Sequence, residues 1–183
     1  MTDNVTSIGS EAFYDCDNLY TCELSNNIET IGSWSFDSCD SLSSVSLPDS
    51  VTRIESGSFY RCVSLKDVAL SNSLTYLGRC AFGDTAIENI TIPKSLDSCG
   101  SNSSYLYNFE DKDYYIYGGP FMRCDNLKTV RFEAGTTQIA EGLFAGCTGV
   151  EEITIPDTVT VIEQYAFQDC LRLRTVNIGN SVT

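Results

Sequence analysis

Histidine is absent from the chain, which removes Ser-His-Asp triads, Cys–His dyads and imidazole-ligated metals at once. Positive charge is scarce too: 11 Lys plus Arg face 25 Asp plus Glu, a net charge of −14. Phosphate-rich partners are held by clustered cations, so this balance argues against nucleic acid, and against anionic membrane bound through basic patches. No apolar run approaches the roughly 18 residues of a spanning helix. The opening Met1-Thr2-Asp3-Asn4-Val5-Thr6-Ser7 has neither the basic nor the apolar region of a secretory leader. What the 183 residues do have is 42% hydrophobic content, enough to build a core.

They also repeat, and the repeat decides the fold. Phe recurs at Phe13, Phe36, Phe59, Phe82, Phe121, Phe144 and Phe167, with spacings of 23, 23, 23, 39, 23 and 23. The irregular interval is one copy shortened by a residue after Phe82 and one insertion of seventeen residues after Gly100. Five positions before Phe stands an aliphatic (Ile8, Ile31, Ile54, Leu77, Ile139, Ile162), with Cys99 in the fifth copy. Three positions after it stands Cys in six copies: Cys16, Cys39, Cys62, Cys124, Cys147 and Cys170. An apolar triplet follows, as in Leu42, Val45, Leu47 or Leu173, Val176, Ile178.

The triplet alternates with polar residues and is β-branched, so it predicts a strand with one buried face. Main strands are expected near residues 20–24, 43–47, 66–70, 88–92, 128–132, 151–155 and 174–178, in one parallel sheet. Pro48, Pro93 and Pro156 stand just after three of them, where a missing N–H harms the ladder least. Pairs such as Val5/Ile8 and Val51/Ile54 predict shorter second strands. Glu11 to Cys16 is too short for a free helix but suits one helical turn. A single unit of this length cannot bury its own apolar face; stacking equivalent strands about 4.8 Å apart turns each column into an internal file.

The run Val5-Thr-Ser-Ile-Gly-Ser-Glu-Ala-Phe-Tyr-Asp-Cys-Asp-Asn-Leu19, with Val45-Ser-Leu-Pro-Asp-Ser-Val-Thr52, resembles the BspA-type leucine-rich repeat, also called the treponemal class. The resemblance covers essentially the whole chain apart from 101–117; Glu55, Ala140 and Glu163 depart from it by replacing the Gly after the aliphatic. It implies an α/β repeat solenoid, a right-handed β/α superhelix of seven coils. It also implies a cell-surface or secreted protein linked to adhesion.

Nine cysteines outside a cell would ordinarily suggest disulfides. Here six share one repeat column, Cys22 takes the inward place of Val45, and Cys99 replaces a core aliphatic, which is how small buried thiols behave. Unpaired structural thiols are therefore expected ahead of one or two bridges. Metal is the weakest reading, because no C-x-x-C pair exists. Cys80, in the column of Glu11 and Trp34, is expected to be exposed and reactive.

No catalytic constellation is visible, and the chain calls for no cofactor. The strand-face positions are small, polar and mixed in sign (Ser43, Ser44, Ser46; Lys66, Asp67, Ala69; Glu151, Glu152, Thr154), which suits either a solvated face or a broad protein-binding one. The insertion carries six aromatics: Tyr105, Tyr107, Phe109, Tyr114, Tyr115 and Tyr117. They flank Glu110-Asp111-Lys112-Asp113, which suggests a hairpin with its two arms paired. Tyr offers apolar area with a hydroxyl, suited to sugar or protein contacts; the same rings could instead cover the flank of the stack. Two functions are expected in competition: a non-catalytic recognition module for a protein or glycan, and a spacer in a larger surface protein. The chain is also expected to be one stretch of a longer array, associating end to end through open edges.

Overall fold

A computed structural model of the chain describes residues 4–100, 106–109, 112–115 and 118–183. Each copy of the repeat closes one coil, and the coils stack in sequence order. The short second strands β1 (Ser7–Ile8), β3 (Thr30–Ile31), β5 (Arg53–Ile54), β7 (Tyr76–Leu77) and β9 (Ser98–Cys99) form one parallel sheet. Its register runs Ile8, Ile31, Ile54, Leu77, Cys99, the aliphatic column of the sequence. A second parallel pair, β13 (Gln138–Ile139) with β15 (Val161–Ile162), continues it after the insertion.

The main strands are shorter than expected and do not make one sheet. β2 (Thr21–Cys22), β4 (Ser44–Ser46) and β6 (Asp67–Ala69) form one parallel ladder, in which Cys22 does stand opposite Val45. β8 (Asn89–Ile92) pairs with β12 (Thr129–Phe132), and β14 (Glu152–Ile155) with β16 (Thr175–Ile178). Two interruptions separate these ladders. In intact junctions the residue before the strand bonds the preceding coil: Lys66 N–H to Ser43 O at 3.1 Å, Lys128 to Glu88 O at 2.9 Å, Arg174 to Glu151 O at 2.8 Å. Among the described residues Glu88 and Glu151 make no such bond.

The expected helical turn is not helical; no helix occurs among the described residues. Alternate N–H groups around each Phe point out of the coil instead. Glu11, Phe13 and Asp15 donate to Ser33, Ser35 and Asp37 of the next coil, while Ala12 and Tyr14 close tight bonds to Gly9 and Glu11. An α-helix needs every N–H within its own segment, so a turn that shares half its donors with its neighbour cannot be one. The alternation requires left-handed residues two before and two after Phe: Glu11/Asp15, Trp34/Ser38, Gly57/Arg61, Cys80/Asp84, Gly142/Gly146 and Tyr165/Asp169. Non-glycine residues resist this region by about 1–2 kcal/mol each, and the intercoil bonds offset it.

Inside the stack the seven Phe rings form one offset file. Successive centroids lie 5.0, 5.2, 5.2, 5.8, 5.6 and 5.6 Å apart. Phe36, Phe59, Phe82, Phe121 and Phe144 are buried, but Phe13 is 40% exposed because the first coil has a neighbour on one side only. The same asymmetry exposes Leu171, Val176 and Ile178 in the last coil.

The junction between coils five and six is the weakest joint. The main-strand ladder is broken there, β9 has no pairing with β13, and the turn bonds are altered: Gly119 N–H reaches Ala145 O. Gly119 lies so close to the next coil that a Cβ would sit 1.9 Å from Gly142 O. Its Phe pair has the largest tilt of the file, 19°.

Candidate functional site

The thiol column is structural. All nine cysteines are free, and four of the column thiols have a fixed carbonyl partner. Cys39, Cys62, Cys124 and Cys170 donate S–H to the carbonyls of Phe13, Phe36, Phe82 and Phe144 at 3.0–3.2 Å. Burial disfavours the thiolate, pushing Cys39 and Cys147 up to about 11 and Cys124 up to about 12. Cys80 corrects the sequence reading: it is 5% exposed and burial raises it to about 11, so it is not a reactive thiol. Glu11 and Trp34 share its column and its left-handed backbone yet remain more accessible; Cys80 is the smaller side chain, and its N–H is bonded to Gly119 O of the next coil.

On the turn edge, Arg61 forks onto the buried Asp37, with Nε–Oδ1 and Nη2–Oδ2 both at 3.3 Å. Burial raises the Asp37 pKa while Arg61 opposes it. Tyr60 bonds Asp84, which in turn pairs with Arg123 at 3.2 Å. Burial and the Asp84 charge push the Tyr60 hydroxyl up. These contacts join consecutive coils and are spent on cohesion.

The strand face is partly self-satisfied. Asn177 Nδ2 donates to Glu152 Oε1 at 3.1 Å, and Glu151 meets Arg174 at 3.7 Å. Between β6 and β8, however, the face opens into a cleft of about 270 Å³, with Val68, Leu70 and Ile90 among its walls and Asn72, Asn89 and Glu133 at its edge. It coincides with the shortened copy. Phe82 to Ile87 is five residues where Phe59 to Leu65 is six, and β8 pairs in register with β12 on its other side but not with β6. Thr85, in place of Cys, bonds Phe82 O of its own coil at 2.8 Å rather than the preceding one. The core shows through: Val68 and Leu70 are half-buried where their counterparts Val45 and Leu47 are 4% and 5% exposed. The 22-residue interval was a legible signal for this cleft, but residue counting did not say that the strands would part.

The aromatic insertion does contain a paired hairpin. β10 (Leu106–Phe109) and β11 (Lys112–Tyr115) are antiparallel, the only such pair among the described residues. The register sets Leu106 opposite Tyr115, Tyr107 opposite Tyr114 and Phe109 opposite Lys112. Lys112 and Asp113, expected in the turn, thus belong to the second arm. Tyr105 and Tyr117 lie outside the described residues.

Several known proteins share this architecture. A leucine-rich repeat protein of Bacteroides ovatus is 28% identical, with a TM-score of 0.74 over 97% of this chain and 42% of that one. The leucine-rich repeat protein of T. pallidum is 26% identical, with a TM-score of 0.66 over 93% of this chain and 72% of that one. The pneumococcal vaccine antigen PcpA, at 18% identity and a TM-score of 0.57 over 97% of this chain and 36% of that one, shares the fold alone. The chain thus spans less than half of the Bacteroides protein it matches. No curated protein matches it. The model of the BspA-type leucine-rich repeat region matches residues 1–110 and 114–183 in six copies. With its Phe file, its thiol column and its parallel ladders, the chain belongs to the BspA-type leucine-rich repeat family.

Proposed function

We propose that this chain is a non-catalytic recognition module of a cell-surface or secreted protein, binding a protein or glycan ligand. The observation that carries the reading is the hairpin. Every other strand pairing in the described residues is parallel and serves the stack, whereas β10 and β11 pair only with each other. A spacer gains nothing from seventeen residues rich in Tyr, while Tyr is enriched where proteins make energetic contacts. The candidate ligand contacts are Tyr105, Tyr107, Phe109, Tyr114, Tyr115 and Tyr117, with the strand face as a second surface. The localisation rests on membership of the family.

The test is a panel of immobilised glycans and extracellular-matrix proteins probed with the full chain, with a chain lacking 101–117, and with Tyr107→Ala/Tyr114→Ala, a pair opposed in the register. Ligand retained by the full chain and lost by both variants supports the reading. A ligand held equally by all three moves recognition to the strand face; no ligand at all leaves the spacer.

A further inference from the structure

The cleft between β6 and β8 lies where the strand-face ladder is interrupted, at the copy that is one residue short. We propose that it is a docking slot for a single aliphatic side chain carried on an extended, basic peptide segment of a protein partner. This rests on the recognition reading above and names a site and ligand class for it. Three observations select that occupant. First, about 270 Å³ is below the range of pockets that enclose a small-molecule ligand, yet it has room for a leucine-sized side chain. Second, the floor is apolar (Val68, Leu70, Ile90) and the rim is polar (Asn72, Asn89, Glu133), the arrangement that surrounds an anchor residue with water-excluding contacts. Third, the parted strands leave the N–H of Glu88 and the C=O of Lys66 without a ladder partner among the described residues, so an extended main chain crossing the mouth finds a donor and an acceptor.

Charge sets the sign of the partner. Asp67 and Glu88 are exposed at the start of the two strands and enter no ion pair among the described residues. Glu133 at the far rim is partly neutralised by Lys94 at 3.3 Å. Glu133 is the charged residue lining the cleft, and Asp67 and Glu88 lie next to lining residues in sequence, within a chain of net charge −14. A peptide with Lys on either side of its anchor is attracted more than one with Glu there, and the preference fades with salt.

The experiment titrates the ¹⁵N-labelled full chain with acetyl-Lys-Leu-Lys-methylamide and follows amide shifts. Saturable shifts are expected at Val68 to Leu70 and Asn89 to Thr91, with none at Val45 or Ile153. Acetyl-Glu-Leu-Glu-methylamide and acetyl-Lys-Gly-Lys-methylamide should each bind at least tenfold more weakly. Inserting one Ala between Thr85 and Ala86 restores the 23-residue interval, closes the ladder and should abolish the shifts. Should that variant not fold, Ala69→Trp, at an exposed position lining the mouth, should block them. Shifts spread evenly over all coils, no saturation, or unchanged binding in folded Ala69→Trp would overturn the slot. So would equal binding of the Gly peptide or of N-acetylglucosamine at the same amides. Those results leave the recognition module standing whenever the full chain still retains a ligand on the panel above.

Discussion

Phe59 is the sharpest place to test the stack. Its ring is fully buried and sits 5.2 Å from both Phe36 and Phe82, within 2° of parallel to each. Truncation to Ala removes a buried aromatic and leaves a gap that neither neighbour can fill without leaving its own file. Phe→Ala in a core costs roughly 3–5 kcal/mol, and an aromatic pair adds roughly 0.5–1.5 kcal/mol beyond buried area. With two such pairs lost, the upper part of that range is expected, about 4–5 kcal/mol. Phe13 supplies the internal control: it is 40% exposed and stacks on Phe36 alone, at 5.0 Å. Its truncation should cost less than half as much. Urea unfolding followed by far-UV circular dichroism, with the slope checked for constancy, measures both. Equal costs for Phe13→Ala and Phe59→Ala, or a cost below about 1.5 kcal/mol for Phe59→Ala, would refute the claim that the file carries cohesion between coils.

The thiols predict a pH dependence. Cys147 rises from 9.0 to about 11 on folding, so the native state holds its proton where the unfolded chain releases it. Stability is fully present below about pH 9 and falls as pH rises through 11, by on the order of 3 kcal/mol for this fully buried group; unfolding at pH 8 and 10.5 with a reductant checks it. Thiol counting on denatured, unreduced protein should return at least six free groups, and in the native state Cys80 should react far more slowly than the exposed Cys16; three free groups or fewer would overturn the assignment. Sedimentation at rising concentration should show self-association, because β16 and the exposed Leu171, Val176 and Ile178 present an open apolar end; a strict monomer throughout refutes it.

Much of this fold could be read from residue counting, because a stacked coil converts each sequence column into one spatial file. The Phe, Ile and Cys columns, the Cys22–Val45 equivalence and the pairing of the insertion's arms followed from spacing alone. What spacing could not convey is where a hydrogen bond goes. Glu11 to Cys16 suits a helical turn by length and composition, but half its N–H groups are claimed by the coil above, which only stacking brings near. Cys80 looked exposed by its column, but a small thiol there is covered where the larger Glu11 and Trp34, with the same left-handed backbone, are not. The cleft coincides with the shortened fourth copy, yet β8 of that copy pairs in register with β12 and the ladder also opens at β12/β14, where no residue is missing, so a count does not say which strands part.

The joint between coils five and six carries a consequence for how the molecule comes apart. In a linear array each unit couples only to its neighbours, so cooperativity is as long-ranged as the weakest coupling allows. Most neighbouring coils here are fastened through main strands, second strands and turns together, whereas this pair keeps altered turn bonds, side-chain bonds such as Thr148 to Asp125, and the tilted Phe121–Phe144 contact. Pulled from its ends or warmed gradually, such a rod yields there first, shedding the last two coils as a block while the first five remain wound. The chain rejoins the stack from the aromatic insertion at Gly118-Gly119, and the Gly119 N–H bonds across this same seam, so a load applied through the insertion reaches the point of fracture within two residues.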